Sequence, residues 1–437
     1  MIQLIIDNSY SKITGLTASQ HKELSNLLSY VVGGKSSYFS SYGPKRKSLL
    51  DKKGNLPTGL VHRVVSSLMA KKLDLDIKDI RIKPEYDAWC SAGYRLTKKP
   101  YAAQSNAARE AAIYGRGIIS MPTGSGKSLV IALIASRLSV KTLIVVPSLE
   151  IKQQLTRSLL EHNGTLRFIT VENIDSPRLN NLTDFGCLII DEAHHVAAKT
   201  YQKLNKTAWK GIYYRFFLTA TPYRNDTEET LLFESVAGSL IYELSYKNAV
   251  ANGYIVPIES YYIESPKKEN DCYTWSEVYS SLVVNNKIRS DIISLLLLTL
   301  NNNDKSTLCL VKEVKHGKIL SDITGLPFVS GADDESREYI QQFNRGEIKV
   351  LIGTTGILGE GIDTRPCEYV VIAGLGKAKS QFMQQVGRAV RTYSGKESAK
   401  VILIKDKSHK FCTRHFKAQC DILKTEYGSV PIKLGVI

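Results

Sequence analysis

The sequence Pro122-Thr-Gly-Ser-Gly-Lys-Ser128 lies between a short apolar run, Gly117 to Ser120, and a longer apolar segment, Leu129 to Leu138. A strand, a glycine-rich turn and a helix in this order are typical of a phosphate-binding loop, because glycines let backbone N–H groups converge on phosphate oxygens at a helix N-terminus. Lys127 is expected to reach the β- and γ-phosphates of a nucleotide, and the Ser128 hydroxyl to bind Mg²⁺. We therefore predict ATP and Mg²⁺ as cofactors, bound by Pro122, Thr123, Gly124, Ser125, Gly126, Lys127 and Ser128.

This motif is incomplete, since Met121 stands where the general pattern has its first glycine. The match rests on the second half of the pattern, and a glycine turn without a catalytic role remains an alternative while the loop is considered alone.

The apolar runs around the loop predict a parallel α/β fold. Helical segments separate four such runs in one part of the chain: Gly117–Ser120, Thr142–Val146, Cys187–Ile190 and Phe216–Leu218. A second set follows: Thr307–Val311, Lys349–Thr354, Tyr369–Ala373 and Lys400–Ile404. Strands that alternate with helices form parallel sheets, with the ligand crevice at the carboxyl ends of the strands. We expect two tandem parallel-sheet domains, at 95–254 and 255–437, preceded by a small basic α+β domain at 1–94.

The composition restricts the class of protein. The chain has 437 residues, of which 43% are hydrophobic, so it can bury a large core and suggests about three domains. No segment approaches the roughly 18 consecutive apolar residues that a bilayer span needs, and we expect neither a secretory signal nor a membrane partner. The seven cysteines form no C-x-x-C pair, which favours the reducing cytoplasm over a disulfide framework. The net charge of +16 favours a polyanionic partner, and nucleic acid in particular.

The basic N-terminal region differs from the rest of the chain. Residues 1–94 contain 14 lysines and arginines and 8 acidic residues, and the cluster Lys45, Arg46 and Lys47 lies among glycines, serines and tyrosines. We predict that these three residues contact phosphates of nucleic acid; a solvated loop is the alternative.

Two adjacent acids, Asp191 and Glu192, follow the apolar run Cys187–Ile190. At the carboxyl edge of a parallel sheet they would lie beside the phosphate-binding loop. Asp191 suits a contact with Mg²⁺, and Glu192 is placed to activate the attacking water as a general base. The alternative is an acidic helix cap after a strand, which the presence of the phosphate loop upstream disfavours.

Together these residues resemble motifs I and II of the superfamily-two helicases, and Asp191-Glu-Ala-His194 resembles the DEAH-box form of motif II. The resemblance covers residues from about 95 to 405 and implies that both parallel-sheet domains are RecA-like. Gln104, preceded by Tyr101, resembles the glutamine motif that binds adenine. Thr219-Ala-Thr221 resembles motif III, which couples hydrolysis to contacts with nucleic acid.

The second domain shows the later motifs of the same family. Thr354 and Thr355, with Gly361 and Asp363 of Gly359-Glu-Gly-Ile-Asp363, resemble motif V, in which Gly361 and Asp363 are expected to contact the nucleotide. The resemblance to motif VI rests on Gln384, Arg388 and Arg391. It implies that these three residues are catalytic, the arginines by neutralising charge on the γ-phosphate. The alternative for the arginines, which are three residues apart, is a surface ion-pair stripe on one face of a helix.

Segments expected to contact nucleic acid are less diagnostic. Pro147 and Ser148 resemble motif Ia, Val171 and Asn173 lie in a segment that resembles motif Ib, and Thr354 and Thr355 belong to motif V. Loops of this kind hold the sugar-phosphate backbone, so little sequence specificity is expected.

Within the superfamily, three segments resemble branch-migration and fork-remodelling DNA helicases of the UvsW type: Asn252–Pro257, Asn286 with Arg289, and Gln381–Arg388. The resemblance implies a monomeric, ATP-dependent DNA helicase of phage type that binds single-stranded and branched DNA. It would remodel branched DNA in replication, recombination or repair, and would be located in the host cytoplasm if a phage encodes it. A duplex translocase, an ATP-controlled nucleic-acid clamp and an RNA helicase remain alternatives.

Overall fold

The structure is a computed structural model that describes residues 1–32, 46–85, 96–181, 184–222, 227–331, 334–359, 367–374, 376, 378–393 and 395–434. The strands are β1 (Ile2–Ile6), β2 (Tyr10–Thr14), β3 (Ser29–Val31), β4 (Arg46–Ser48), β5 (Asn55–Pro57), β6 (Leu75–Asp79), β7 (Arg116–Ser120), β8 (Thr142–Val146), β9 (Ile169–Asn173), β10 (Cys187–Ile190), β11 (Tyr214–Thr219), β12 (Leu240–Glu243), β13 (Ile258–Ser265), β14 (Thr307–Val311), β15 (Phe328–Val329), β16 (Val350–Thr354), β17 (Tyr369–Ile372), β18 (Ala399–Asp406) and β19 (Ile432–Lys433). The helices are α1 (Ala18–Leu27), α2 (Val61–Ala70), α3 (Ala102–Tyr114), α4 (Lys127–Leu138), α5 (Leu149–Asn163), α6 (Lys199–Lys206), α7 (Thr227–Ala237), α8 (Tyr246–Ala251), α9 (Trp275–Val278), α10 (Lys287–Asn302), α11 (Val314–Thr324), α12 (Asp334–Arg345), α13 (Thr355–Gly359), α14 (Lys379–Gly387) and α15 (Lys410–Tyr427).

Polar caps and glycines set the ends of several helices. Ser148 accepts a hydrogen bond from the Ile151 N–H at the start of α5, at 3.3 Å, and Asn286 accepts one from the Arg289 N–H at the start of α10, also at 3.3 Å. Such caps satisfy N–H groups that have no partner inside the helix. Gly164 ends α5 with a φ of +70°, a left-handed conformation that favours glycine.

The first parallel sheet has the strand order β12-β7-β11-β10-β8-β9, and all its neighbouring strands are parallel. Every residue of β8 and β10 is buried, as expected for strands that helices cover on both faces. The four predicted strands of this region form its centre. The sequence did not indicate the edge strands β9 and β12, because β9 mixes polar and apolar residues and β12 is short and only half-buried.

The second parallel sheet has the order β15-β16-β14-β17-β18-β13-β19, again with parallel neighbours. Its core lies between the sheet and helices such as α10, which contributes Ile293, Leu296 and Leu297. Tandem parallel-sheet α/β domains are therefore confirmed. The two-residue strands β15 and β19 are too short to leave a periodic pattern in the sequence.

A smaller sheet formed by N-terminal residues has the order β5-β2-β1-β6, in which β1 pairs antiparallel with β2 and parallel with β6. Its core includes Leu4, Ile13 and Leu60, and also Leu231 of α7. The small sheet thus shares one hydrophobic core with a helix that covers the first parallel sheet.

Three arginines link the small sheet to the first parallel sheet. Arg116 donates to the carbonyl oxygens of Asn8 and Val236, at 2.5 Å each. Arg215, fully buried on β11, donates to the Ser9 hydroxyl at 3.2 Å. Arg63 of α2 forms a bidentate ion pair with Glu234 of α7, at 2.6 and 3.0 Å.

The chain divides into two compact units. The first comprises residues 1–121 and 126–244, and the second comprises residues 245–437 together with residues 122–125. In the described ranges, none of the helices is both long enough and apolar enough to span a bilayer.

Candidate functional site

The phosphate-binding loop connects β7 to α4, as the sequence predicts for a strand, loop and helix. Gly124 and Gly126 have φ values of +86° and +83°, which only glycine adopts without strain. Within the loop, the Ser125 hydroxyl donates to the Pro122 carbonyl oxygen at 2.7 Å. The backbone of the loop is therefore curved at two glycines just before Lys127 begins the helix.

The glutamine expected to bind adenine lies against this loop. A Cβ atom added to Gly126 would lie 2.4 Å from the Nε2 atom of Gln104, so the two residues are in close contact. Gln104 is buried in α3, and its side-chain oxygen accepts a hydrogen bond from the Tyr101 N–H at 2.9 Å. Tyr101 itself is exposed, with a surface that a planar base could cover.

The two acidic residues emerge at the carboxyl end of β10. The Lys127 Nζ atom lies 3.8 Å from Glu192 Oε1, and the His194 Nδ1 atom lies 3.4 Å from Glu192 Oε2. Glu192 has a φ of +47°, an unusual backbone conformation for a residue with a side chain. Non-glycine residues in this region cluster at functional sites, which is consistent with the predicted role of Glu192.

The local charges separate the pKa values of the two acids. Burial and the neighbouring Glu192 charge raise the pKa of Asp191 to about 6. Burial also acts to raise the pKa of Glu192, but Lys127 and His194 outweigh it and lower this pKa to about 2. Glu192 is thus the acid that Lys127 holds in its ionised form.

The predicted Mg²⁺ ligands have the appropriate chemistry. The Ser128 hydroxyl and the Asp191 carboxylate are oxygen ligands of the kind that Mg²⁺ prefers, and a cation would offset the burial that disfavours ionised Asp191. A site with one or two protein ligands is usual for Mg²⁺ that also binds phosphates. The described residues contain no group of three or more His, Cys, Asp or Glu side chains that could hold a metal ion.

His162 was not indicated by the sequence. Its Nε2 atom lies 3.4 Å from the Ser128 hydroxyl, and burial lowers the pKa of the imidazole. A histidine at the end of α5 carries no motif, so only the fold could place it beside the loop.

The segment that resembles motif III belongs to the same sheet edge. Thr219 is the last residue of β11, and its carbonyl oxygen accepts a hydrogen bond from the Met121 N–H at 3.0 Å. Its hydroxyl accepts a hydrogen bond from the Thr221 N–H at 3.1 Å. The end of β11 is therefore hydrogen-bonded to the residue that precedes the phosphate loop.

The residues predicted to contact nucleic acid in the first unit fall into two groups. Pro147 and Ser148 are half-buried in the loop between β8 and α5. Val171 and Asn173 were expected in a loop, and this expectation is wrong, because both are buried residues of β9. The intervening Glu172 is paired with Lys152 at 2.7 Å, which stabilises the strand edge.

In the second unit, Thr354 is the last residue of β16 and Thr355 the first of α13. The Gln381 side chain donates to the Thr355 hydroxyl at 3.4 Å. Gly361 and Asp363 lie outside the described residues, as does Lys45, whereas Arg46 and Lys47 are exposed on β4.

The residues that resemble motif VI lie on α14 and on the turn after it. Gln384 is half-buried on the helix, Arg388 caps its end and is largely buried, and Arg391 follows in the turn. Burial lowers the pKa of the Arg391 guanidinium. The alternative of a surface stripe on one helix face is wrong for this pair, since the helix ends at Gly387 and Arg388 is only 7% exposed.

Two protein families match the chain. Residues 97–174 and 160–224 match the family described as type III restriction enzyme, res subunit, and residues 289–393 match the helicase conserved C-terminal domain. The chain therefore carries the two domains of superfamily-two helicases, in this order. These matches do not distinguish the DEAH-box subtype, which stays a prediction.

Among individual proteins, the chain is 23% identical over 412 residues to the ATP-dependent DNA helicase UvsW of Enterobacteria phage T4, covering 82% of this chain and 80% of that protein. It is 27% identical over 333 residues to the DNA 3'-5' translocase XPB2 of Sulfurisphaera tokodaii, covering 63% and 75%. It spans only 48% to 65% of the length of three other curated relatives. The structure of Dbp5 from S. cerevisiae bound to RNA and ADP BeF3 has the same fold, with a TM-score of 0.56, 17% identity, and coverage of 77% of this chain and 90% of Dbp5.

Proposed function

We propose that the chain is an ATP-driven DNA helicase or translocase that remodels branched DNA. The observation that carries the proposal is the approach of Lys127 to Glu192, at 3.8 Å, beside a loop curved at Gly124 and Gly126. A lysine, an ionised acid and a glycine loop at one sheet edge provide a phosphate-binding group and a general base in the same place. The similarity to UvsW, which is named an ATP-dependent DNA helicase, supports DNA as the polymer. Branched DNA as the substrate rests on the resemblance of Asn252–Pro257, Asn286 with Arg289, and Gln381–Arg388 to fork-remodelling helicases.

The residues at the carboxyl edge of the first parallel sheet have the following proposed roles. Backbone N–H groups of the loop and Lys127 bind the phosphates, and Gln104 with Tyr101 binds the adenine. Ser128 and Asp191 would hold Mg²⁺, which when bound neutralises charge on the phosphates. Glu192 orients the attacking water and accepts its proton.

The second unit supplies the arginines in this proposal. Arg388 and Arg391 stabilise charge that develops on the γ-phosphate during hydrolysis, and Gln384 helps to orient the reacting groups. Arginine is suited to this role because its guanidinium stays charged and binds phosphate oxygens in pairs. Gly361 and Asp363 complete the proposed nucleotide contacts.

The proposed nucleic-acid contacts are the loop residues Pro147 and Ser148, the threonines Thr354 and Thr355, and the basic cluster Lys45, Arg46 and Lys47. Contacts of this kind bind sugar and phosphate and carry no base preference. Val171 and Asn173 are excluded from this proposal because their strand is buried.

The Lys127→Ala variant tests the site directly. We expect DNA-stimulated ATP hydrolysis to be abolished while DNA binding without nucleotide stays within about twofold, because the variant removes a phosphate contact only. Steady-state hydrolysis and DNA binding by fluorescence anisotropy measure the two effects. Lys141→Ala, which removes an exposed lysine just before β8, serves as the control. Turnover at the wild-type rate in Lys127→Ala would show that the loop is not the nucleotide site.

A duplex translocase is the second candidate, because XPB2 is named a translocase. Displacement of a third strand from a triplex without separation of the duplex would favour it. Strand separation of forks and four-way junctions would favour the helicase. Parallel assays with RNA strands decide between the two polymers.

A further inference from the structure

A half-buried lysine, Lys396, lies beside the arginine-bearing turn of the second unit. Its ammonium donates hydrogen bonds to three backbone carbonyl oxygens: those of Cys367 at 2.7 Å, Arg391 at 3.1 Å, and Ala389. Cys367 lies just before β17, whereas Ala389 and Arg391 belong to the turn after α14. One side chain therefore ties this turn to the segment that leads into the parallel sheet.

The turn is also held from the other side. The Val256 N–H donates to the Val390 carbonyl oxygen at 2.9 Å. Three consecutive carbonyls, from Ala389 to Arg391, thus receive donors from outside the turn. Carbonyl groups at a helix C-terminus lack partners within their own helix, so external donors determine their orientation. Lys396 supplies two of these three donors.

We propose that Lys396 is a positioning residue, whose ammonium fixes the turn that carries Arg388 and Arg391 and thereby sets the rate of ATP hydrolysis. The inference rests on the proposed catalytic function of these arginines. Lys396 does not itself contact the substrate in this proposal. Small displacements of a charged group from its productive position lower turnover by large factors, whereas ground-state affinity changes less.

The ionisation of Lys396 provides a specific signature. Burial lowers the pKa of Lys396 to about 8; nearby Cys367 and Glu368 act to raise it, and Lys400 and Arg391 act to lower it. The Tyr393 ring also faces the ammonium, at 5.2 Å. The charged form has three N–H donors for three carbonyls, and the neutral amine has two. We therefore expect the turn to loosen as the pH rises through about 8.

This loosening is distinct from unfolding. The folded pKa of Lys396 is lowered from its ordinary value of 10.5, so between about pH 8 and 10.5 the unfolded chain binds the proton that the folded chain has lost. In that interval this group's contribution to stability rises with pH. Deprotonation of Lys396 above pH 8 is therefore expected to lower turnover without lowering the free energy of unfolding.

The first experiment compares Lys396→Met and Lys396→Arg in the full chain. We expect Lys396→Met to lower kcat on the order of 10- to 100-fold, with KM for ATP within about threefold. Lys396→Arg keeps a positive charge throughout the accessible pH range and should restore most of kcat. It should also lack the fall in kcat between pH 7.5 and 9 that we expect of the wild type. If kcat of Lys396→Arg falls with pH in the same way as kcat of the wild type, the proposal is overturned.

The second experiment measures the structural stability of the turn directly, without an activity assay. Hydrogen exchange of a peptide covering residues 386–393 should accelerate in Lys396→Met, while a peptide from α4 exchanges at the wild-type rate. Lys400→Met is the matched control, since Lys400 lies in the adjacent strand and pairs with Glu368 at 3.1 Å, not with the turn. It should leave the exchange of residues 386–393 unchanged.

The combination with Arg388→Ala separates the two proposals. Adding Lys396→Met to Arg388→Ala should lower kcat little further, because both act on the same group. Hydrogen exchange of residues 386–393 at the wild-type rate in Lys396→Met would overturn the positioning role. Faster exchange together with a wild-type kcat in Lys396→Met would also overturn it, provided that Arg388→Ala is inactive. If Arg388→Ala itself turns over normally, the arginine assignment has failed, and faster exchange would still establish that Lys396 holds the turn.

Discussion

At the scale of single residues, the candidate site depends on the electrostatic interaction between the Lys127 ammonium and the Glu192 carboxylate. The two side chains approach within 3.8 Å, and Lys127 contributes to the low pKa of Glu192. A phosphate group at the loop would compete for the same ammonium. The acid would then lose part of its partner and become a better base, which is what water activation requires. The left-handed backbone at Glu192 holds the carboxylate where both interactions are possible.

The Glu192→Gln variant isolates this role. We expect kcat to fall on the order of 10²- to 10⁴-fold, because the amide cannot accept the proton of the attacking water. ATP should still bind, and complexes with DNA should persist longer in its presence. Single-turnover hydrolysis and ATP-dependent DNA retention measure these effects, with Glu110→Gln on α3 as the control. Wild-type turnover in Glu192→Gln would remove the general base from the mechanism.

At the scale of secondary-structure elements, the sequence predicted the strands that are continuous apolar runs and the elements that carry local motifs. The strands Thr142–Val146 and Cys187–Ile190 agree with the structure residue for residue, because buried parallel strands are continuous apolar runs. The strand Ile169–Asn173 was missed because its buried glutamate is paired with Lys152, a contact that no local pattern contains. The end of α14 at Gly387 was not indicated by the sequence, because the three-residue spacing of Arg388 and Arg391 also fits one face of a continuing helix, whereas backbone carbonyls beyond Gly387 accept hydrogen bonds from Lys396. Long-range polar contacts thus account for both errors.

The links between sheets are a second feature that sequence could not reveal. Arg215 donates to the carbonyls of Trp209 and Ile212, the Asn205 side chain and the Ser9 hydroxyl. We expect Arg215→Met to lower the free energy of unfolding by about 2–4 kcal/mol, because it leaves several buried acceptors without donors. Urea unfolding followed by circular dichroism measures the change. The exposed Arg167→Met should change it by less than about 0.5 kcal/mol, and an equally small effect for Arg215→Met would contradict this account.

At the scale of the whole molecule, the small sheet and the first parallel sheet form one unit. They share a hydrophobic core that includes Leu231, and the Arg63–Glu234 pair and Arg215 connect them. Removing the N-terminal residues would expose this core and leave buried polar groups unpaired. Deletion is therefore a poor test of what the N-terminal region recognises. Charge reversal at its surface is the better one.

We predict that the exposed basic residues of β4 contribute to recognition of branched DNA. The double variant Arg46→Glu/Lys47→Glu should lower the rate of fork and junction remodelling on the order of 10-fold, while hydrolysis stimulated by plain single strands changes less than about twofold. The reason is that both side chains are exposed on β4, which pairs with β3 in a separate two-stranded sheet, and would contact phosphates. Each lost phosphate contact reduces the salt dependence of binding by about one unit of log–log slope. Lys71→Glu/Lys72→Glu, in the exposed turn at the end of α2 and outside the cluster, is the control. Equal losses on forks and on single strands would mean that the N-terminal charge raises general affinity and does not recognise the branch.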